Sequence, residues 1–121
     1  LLRRRAAGVD QLLDVSAGDL EQRFACAVEM TADFGQNRKA VWDRLDLWAA
    51  WWRDLMLVKV GYDEAIINVD RLSELAEMAG GYTLSQVRDF IADILAAGGQ
   101  LRRNASPRLV FEAMMLDMPR R

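Results

Sequence analysis

This sequence predicts an all-α fold, a single bundle of five to six helices, on three observations. Helix punctuation recurs along the chain, with Ser, Thr or Asn ahead of apolar runs and Gly or Pro behind them. Alternating β-branched stretches are nearly absent. The third observation is the segment 37–61, NRKAVWDRLDLWAAWWRDLMLVKVG, which carries all four tryptophans, Trp42, Trp48, Trp51 and Trp52. On a helix, Leu47, Val58, Trp51, Leu55, Trp48, Trp52, Leu45, Met56, Ala49 and Trp42 sweep roughly 220° of the circumference, about twice the stripe that a helix facing one core needs. Asp43, Asp46, Arg53 and Asp54 form the remaining polar strip. Such a helix is either the central post of a bundle or is shared between its own core and a partner.

Residues 1–14 read as the first helix, weakened by Gly8, since a helical Gly costs about 1 kcal/mol relative to Ala. Ser16-x-x-Asp19 resembles a capping box and is expected to open the second helix, with Leu20, Phe24, Ala27, Val28 and Phe34 as its apolar set and Gly35 as its stop. Asn37 caps the tryptophan helix and Gly61 ends it. Residues 62–67 form a connection, and a helix near 69–79 uses Leu72, Leu75, Ala76 and Ala79 up to the break at Gly80-Gly81. Thr83-x-x-Gln86 is a capping box for the next helix. Local propensity ends that helix at Gly98-Gly99, but positions 84, 87, 91, 94, 98, 101 and 105 keep one heptad register across the glycines. One long helix to about Asn104 is therefore expected, with Gly98 as a close-approach point against another helix. Ser106-Pro107 then starts the last helix, cap followed by proline at the first turn, running through Leu109, Val110, Ala113, Met114 and Leu116 to Pro119.

At 121 residues, 52% hydrophobic and 28% charged, the chain is long enough for one domain with one core and too apolar for a disordered segment. The net charge of −2 lacks the basic footprint of nucleic-acid binders, although the distribution is uneven: residues 1–9, 37–61 and 101–121 are basic, 10–36 and 62–100 acidic. Cys26 is the single cysteine, which excludes an internal disulfide and fits a reducing compartment such as the cytoplasm. Its neighbours Phe24, Ala25, Ala27 and Val28 mark it as a small buried hydrophobe. Arg53, Asp54 and Lys59 interrupt the longest apolar run, so no membrane span is expected. The start, Leu-Leu-Arg-Arg-Arg, has neither a signal peptide nor an initiator Met, and a piece of a longer protein is the expectation.

The absence of histidine removes the commonest general base and metal ligand, and with one cysteine the usual tetrahedral zinc sites are excluded. The glycine pairs at 80–81 and 98–99 lack the phosphate-loop pattern. Asp43/Asp46 and Glu74/Glu77 read as solvated helix faces rather than acid/base pairs. No catalytic, cofactor-binding or metal-binding residue is expected, and the chain alone is not expected to be an enzyme. Interaction is the remaining class. If part of the tryptophan arc serves a partner, Trp42, Trp51 and Val58 are the candidate contacts, joined by the adaptable cluster Met114, Met115 and Met118. Arg102, Arg103 and Arg108 are candidates to approach a phosphate, but exposed arginines are usually solvated or salt-bridged. A helical DNA-binding regulator would need a basic recognition helix, which no helix here supplies.

Two segments together carry a family resemblance. Leu45–Gly61 contains Trp52-Arg53-Asp54-Leu55, with Asn68-Val69-Asp70 downstream; Leu101–Leu116 contains Leu101-Arg102-Arg103-Asn104-Ala105-Ser106-Pro107-Arg108-Leu109. Their order and spacing resemble the C-terminal domain of the delta-prime subunit of the bacterial DNA polymerase III clamp loader and its gamma/tau relatives. The match spans roughly residues 37–118. It departs where the family has a second Asn before the proline, here Ser106, which also caps a helix. The resemblance implies a collar domain that packs beside its counterparts in a ring, contacting delta and gamma/tau subunits, and meeting DNA only through the full complex during sliding-clamp loading. It further implies that Trp52, Arg53, Asp54, Asn104, Ser106 and Pro107 are structural motif residues. The alternative within the family is the collar of a gamma/tau subunit.

Overall fold

The computed structural model describes residues 2–120, with side chains from Arg5 onward. Leu1, the expected first residue of the first helix, lies outside the described residues. Six α-helices follow one another: α1 (Leu2–Ala17), α2 (Leu20–Gln36), α3 (Arg38–Val60), α4 (Leu72–Ala79), α5 (Leu84–Arg102) and α6 (Pro107–Asp117). Two 3₁₀ turns, Asp63–Ala65 and Val69–Arg71, lie in the α3–α4 connector. There is no strand among the described residues, and the fold is the expected all-α bundle.

The tryptophan helix is the central post. α3 packs against α1, α2, α4, α5 and the first 3₁₀ turn, while α6 joins the bundle through α2 and α5. Trp48, Trp51 and Trp52 are each fully buried, along with Val41 and Leu55. Trp51 donates its indole N–H to the Met78 sulfur at 3.2 Å, and Trp52 stands edge-on to Phe90 with centroids 4.8 Å apart and beside Tyr82 at 5.2 Å. Trp48 Nε1 and Trp52 Nε1 have no hydrogen-bond partner among the described residues. An unmet buried donor costs about 1–3 kcal/mol, less than the roughly 4–6 kcal/mol from removing a 150–250 Å² ring from water.

Local signals place most helix ends. Asn37 Oδ1 accepts from the Ala40 N–H at 3.2 Å, opening α3. Gly61 closes it in the left-handed region at φ 83°, with the Gly61 and Tyr62 N–H groups donating to the Val58 and Leu57 carbonyls at 3.2 and 2.9 Å. Thr83 and Gln86 form the expected reciprocal capping box of α5. α5 runs unbroken through Gly98-Gly99 and stops at Arg102, two residues short of the expected Asn104. The α2 start differs. Ser16 belongs to the last turn of α1, and the capping box is one step later: Asp19 Oδ1 accepts from Gln22 N–H at 2.9 Å, and Gln22 Oε1 accepts from Asp19 N–H at 2.8 Å. Gly35 lies inside α2, which continues to Gln36, and the expected 69–79 helix is a 3₁₀ turn followed by α4.

The apolar phase of α2 is also shifted. Leu20 and Val28 are exposed, and the buried set is Arg23, Cys26, Ala27, Met30 and Phe34. These positions form one i, i+3, i+4, i+7 stripe, hidden in the sequence because an arginine occupies its first place. Cys26 is buried as expected, and burial pushes its thiol up to about 11.

Gly98 faces α3, where a Cβ would meet the Trp42 ring at 3.6 Å, an ordinary van der Waals distance. The approach is close without requiring glycine. Gly98→Ala is therefore expected to stabilise the domain by about 0.5–1 kcal/mol by restricting the unfolded chain and favouring helix, read as a rise in thermal midpoint.

Candidate functional site

Most expected interface positions lie in the core. Trp51 is fully buried, and Met114, Met115 and Met118 are no more than 2% exposed. Met114 and Met115 belong to the inward stripe of α6, so these four side chains meet the chain's own helices and offer no surface to a partner. Trp42 and Val58 are partly exposed and pack on the core edge.

Five of the six motif residues hold the architecture, and Arg53 is the exception. Trp52 is buried among rings, and Arg53 is exposed. Asp54, assigned to the polar strip by its residue type, is instead completely buried. Its carboxylate accepts from the Ile67 N–H at 3.1 Å, the Asn68 N–H at 2.9 Å and the Asn68 side-chain amide at 2.7 Å. The Arg5 guanidinium donates to Asn68 Oδ1 and grips both Asp70 oxygens at 2.9 and 3.0 Å. That hydrogen bond raises the Arg5 pKa and lowers that of Asp70. The charge of Asp54 is thus spent on otherwise orphaned backbone N–H groups of a connector with no helix ladder.

The second motif segment makes a corner. Asn104 sits in the left-handed region at φ 61°, where Asn is among the better-tolerated residues. The Asn104 and Ala105 N–H groups return to the Leu101 and Gln100 carbonyls at 3.1 and 3.0 Å, satisfying the end of α5. Ser106 Oγ then accepts from Leu109 N–H at 3.4 Å, with Pro107 at the first position of α6.

Arg23 is the residue that sequence reasoning missed. It is 2% exposed and donates to the backbone carbonyls of Ser16, Met118 and Pro119, clamping the C-terminal ends of α1 and α6 to α2. No carboxylate pairs with it among the described residues. The carbonyl ends of two helices supply the opposing partial charge, and burial lowers its pKa. A cavity of about 300 Å³ opens beside it, lined by Ser16, Ala17, Gly18, Arg23 and Arg120.

A smaller cavity of about 80 Å³ lies between α5 and α6, with Asp93, Gln100 and Asp117 at its polar edge. Among the described residues no three Asp, Glu or Cys side chains gather to hold a metal ion, and no helix is long and apolar enough to cross a membrane. The pairs assigned to solvated faces are found there: Asp43 meets Lys39, Glu74 meets Arg71, and Asp46 and Glu77 are exposed.

Exposed side chains of distinct character gather at the two ends of α3. At the C-terminal end of α3, Val60, Tyr62, Ile67, Val69 and Leu72 are each 44–61% exposed. At its N-terminal end, Arg102 stacks on the Trp42 ring at 4.7 Å and Arg38 on Phe34 at 4.9 Å, with the two rings themselves in edge contact at 5.9 Å. No family model, curated protein or solved structure matches this chain.

Asp54→Ala is expected to destabilise the domain by about 3 kcal/mol in denaturant unfolding, because it strands two backbone N–H groups, whereas Arg53→Ala next door stays within about 0.5 kcal/mol. Asp93 carries a pH signature. Burial, then Asp117 and Asp89, raise its pKa above the ordinary carboxylate value. A raised carboxylate pKa makes ionisation unfavourable to the fold, so this contribution to stability is present at low pH and lost as pH rises through the folded value. Asp93→Asn is expected to be more stable than the parent near pH 7, with the difference closing by about pH 3 in paired denaturation curves.

Proposed function

We propose that this chain is the collar domain of the delta-prime subunit of a bacterial DNA polymerase III clamp loader, a non-catalytic cytoplasmic scaffold that packs beside delta and gamma/tau subunits. The observation that carries the reading is the paired resemblance, Trp52-Arg53-Asp54-Leu55 with Asn68-Val69-Asp70, and Asn104-Ala105-Ser106-Pro107-Arg108-Leu109, in the family's order and spacing. The residues of both segments support it by doing architectural work. Asp54 and Asn68 pin a connector, and Asn104, Ser106 and Pro107 turn a corner between two helices. Motifs that hold a scaffold's shape belong at such places, away from any catalytic cluster.

In this reading the domain joins subunits whose nucleotide-binding modules lie elsewhere, and it reaches DNA only as part of the assembled loader. The gamma/tau collar is the paralogous alternative, differing in ring position.

The test is a pull-down with purified delta and gamma/tau subunits from the same source. Association with one or both at tens of micromolar is expected for a weak domain contact, on the order of −6 kcal/mol. Absence of binding to either subunit at that concentration overturns the proposal.

A further inference from the structure

The two ends of α3 carry complementary unspent chemistry. At the N-terminal end, Lys39, Arg44 and Arg108 are paired with Asp43, Asp33 and Glu112, but Arg38, Arg102 and Arg103 have no carboxylate partner among the described residues. Two of these guanidiniums lie over rings, which limits the entropy lost when they meet a partner. The partly exposed Trp42 and the exposed Leu109 add apolar surface near them.

At the C-terminal end the balance is reversed. Arg5 and Arg71 are taken up by Asp70, Asp10 and Glu74, and Lys59 is spent on the Ala79 carbonyl at 2.9 Å. Asp63, Glu64 and Glu77 have no ion pair among the described residues, with exposed Arg53 further back on α3. Beside these acids stand Val60, Tyr62, Ile67, Val69 and Leu72. Ile67 and Val69 are held outward by the anchor on Asp54, because the intervening Asn68 and the preceding Ile66 are drawn inward. The surface is preformed.

These two ends cannot satisfy one another within one molecule, since the 23 residues of α3 separate them by about 35 Å. We propose that this chain self-associates head to tail, the acidic apolar end of one copy (Tyr62, Asp63, Glu64, Ile67) docking on the arginine corner (Arg38, Arg102, Arg103) of the next. Two different surfaces meet, so the contact is heterologous and builds chains or rings rather than a two-fold dimer. A contact built on a few exposed charges at each end is weak and salt-sensitive. The inference stands on the charges and exposed side chains of this chain and does not require the clamp-loader reading.

Sedimentation velocity decides it with the chain and two variants, Arg102→Glu with Arg103→Glu, and Asp63→Arg with Glu64→Arg. Far-UV circular dichroism checks that each variant is helical. For the parent, the weight-average mass is expected to rise from monomer at about 10 µM to roughly twice that or more at about 1 mM in low salt, and to fall again in high salt. Each variant alone stays monomeric, because its two ends now carry like charge. An equimolar mixture of the two variants regains association, because both junctions are again complementary. A monomeric parent throughout that range overturns the proposal, as does a dimer that either variant leaves intact or a mixture that fails to recover. Failure here with a successful subunit pull-down leaves the collar reading standing, and the reverse outcome separates the two equally well.

Discussion

Burial of α3 on nearly all sides is the constraint on which the rest of the bundle depends. Of its three buried tryptophans, Trp48, Trp51 and Trp52, two show different neighbours: Trp51 meets Met78 at the α4 end, and Trp52 meets Tyr82 just before α5 and Phe90 within it. Rings of that size fill more than one direction at once, so helices that do not touch each other share a core through α3. α6 completes the bundle from outside, its Phe111 lying 6.2 Å from Phe34 of α2. A wide apolar arc is therefore what a central post requires, and no partner need be invoked to explain it.

Placing one helix at the centre creates a polar problem at the periphery, where chain connections must leave the core. Two buried charges of opposite sign solve it without meeting each other. Asp54 collects donors from the α3–α4 connector, and Arg23 collects acceptors from the ends of α1 and α6. In each case a full charge compensates partial charges on unpaired backbone groups, which is stronger than a neutral hydrogen bond and worth the desolvation. The outcome is a bundle whose corners are as fixed as its helices. Asp54 sets the backbone of the acidic apolar face beyond α3, while the arginine corner at the other end is set separately, by the turn at Asn104 and by Arg38 and Arg102 lying over Phe34 and Trp42.

What could be read along the chain were signals complete within one or two helical turns. Asn37 and Gly61 bound α3, Thr83 and Gln86 open α5, and Ser106-Pro107 opens α6, because capping involves residues three or four apart and little else. Even the passage of α5 through Gly98-Gly99 was legible, from a heptad register that outlasts the local glycine penalty. The α2 start was one local signal too ambiguous to place, with Ser16 and Asp19 both suitable caps and α1 extending over the first of them.

The remainder turned on partners far away in sequence. Asp54 reads as polar surface until Asn68, fourteen positions on, delivers its amides, and nothing local marks Arg23 as buried before Met118, ninety-five positions on, brings its carbonyl. The outward reading of Trp51 and of the methionines at 114, 115 and 118 failed for the same reason: which side of an apolar arc faces a neighbour is set by how many helices surround it. By itself the sequence determined the class of fold, a count of five to six helices and most of their ends, since those are local free energies. Only the tertiary structure decided which charges are buried and which apolar side chains stay outside, because desolvation depends on everything packed around a group.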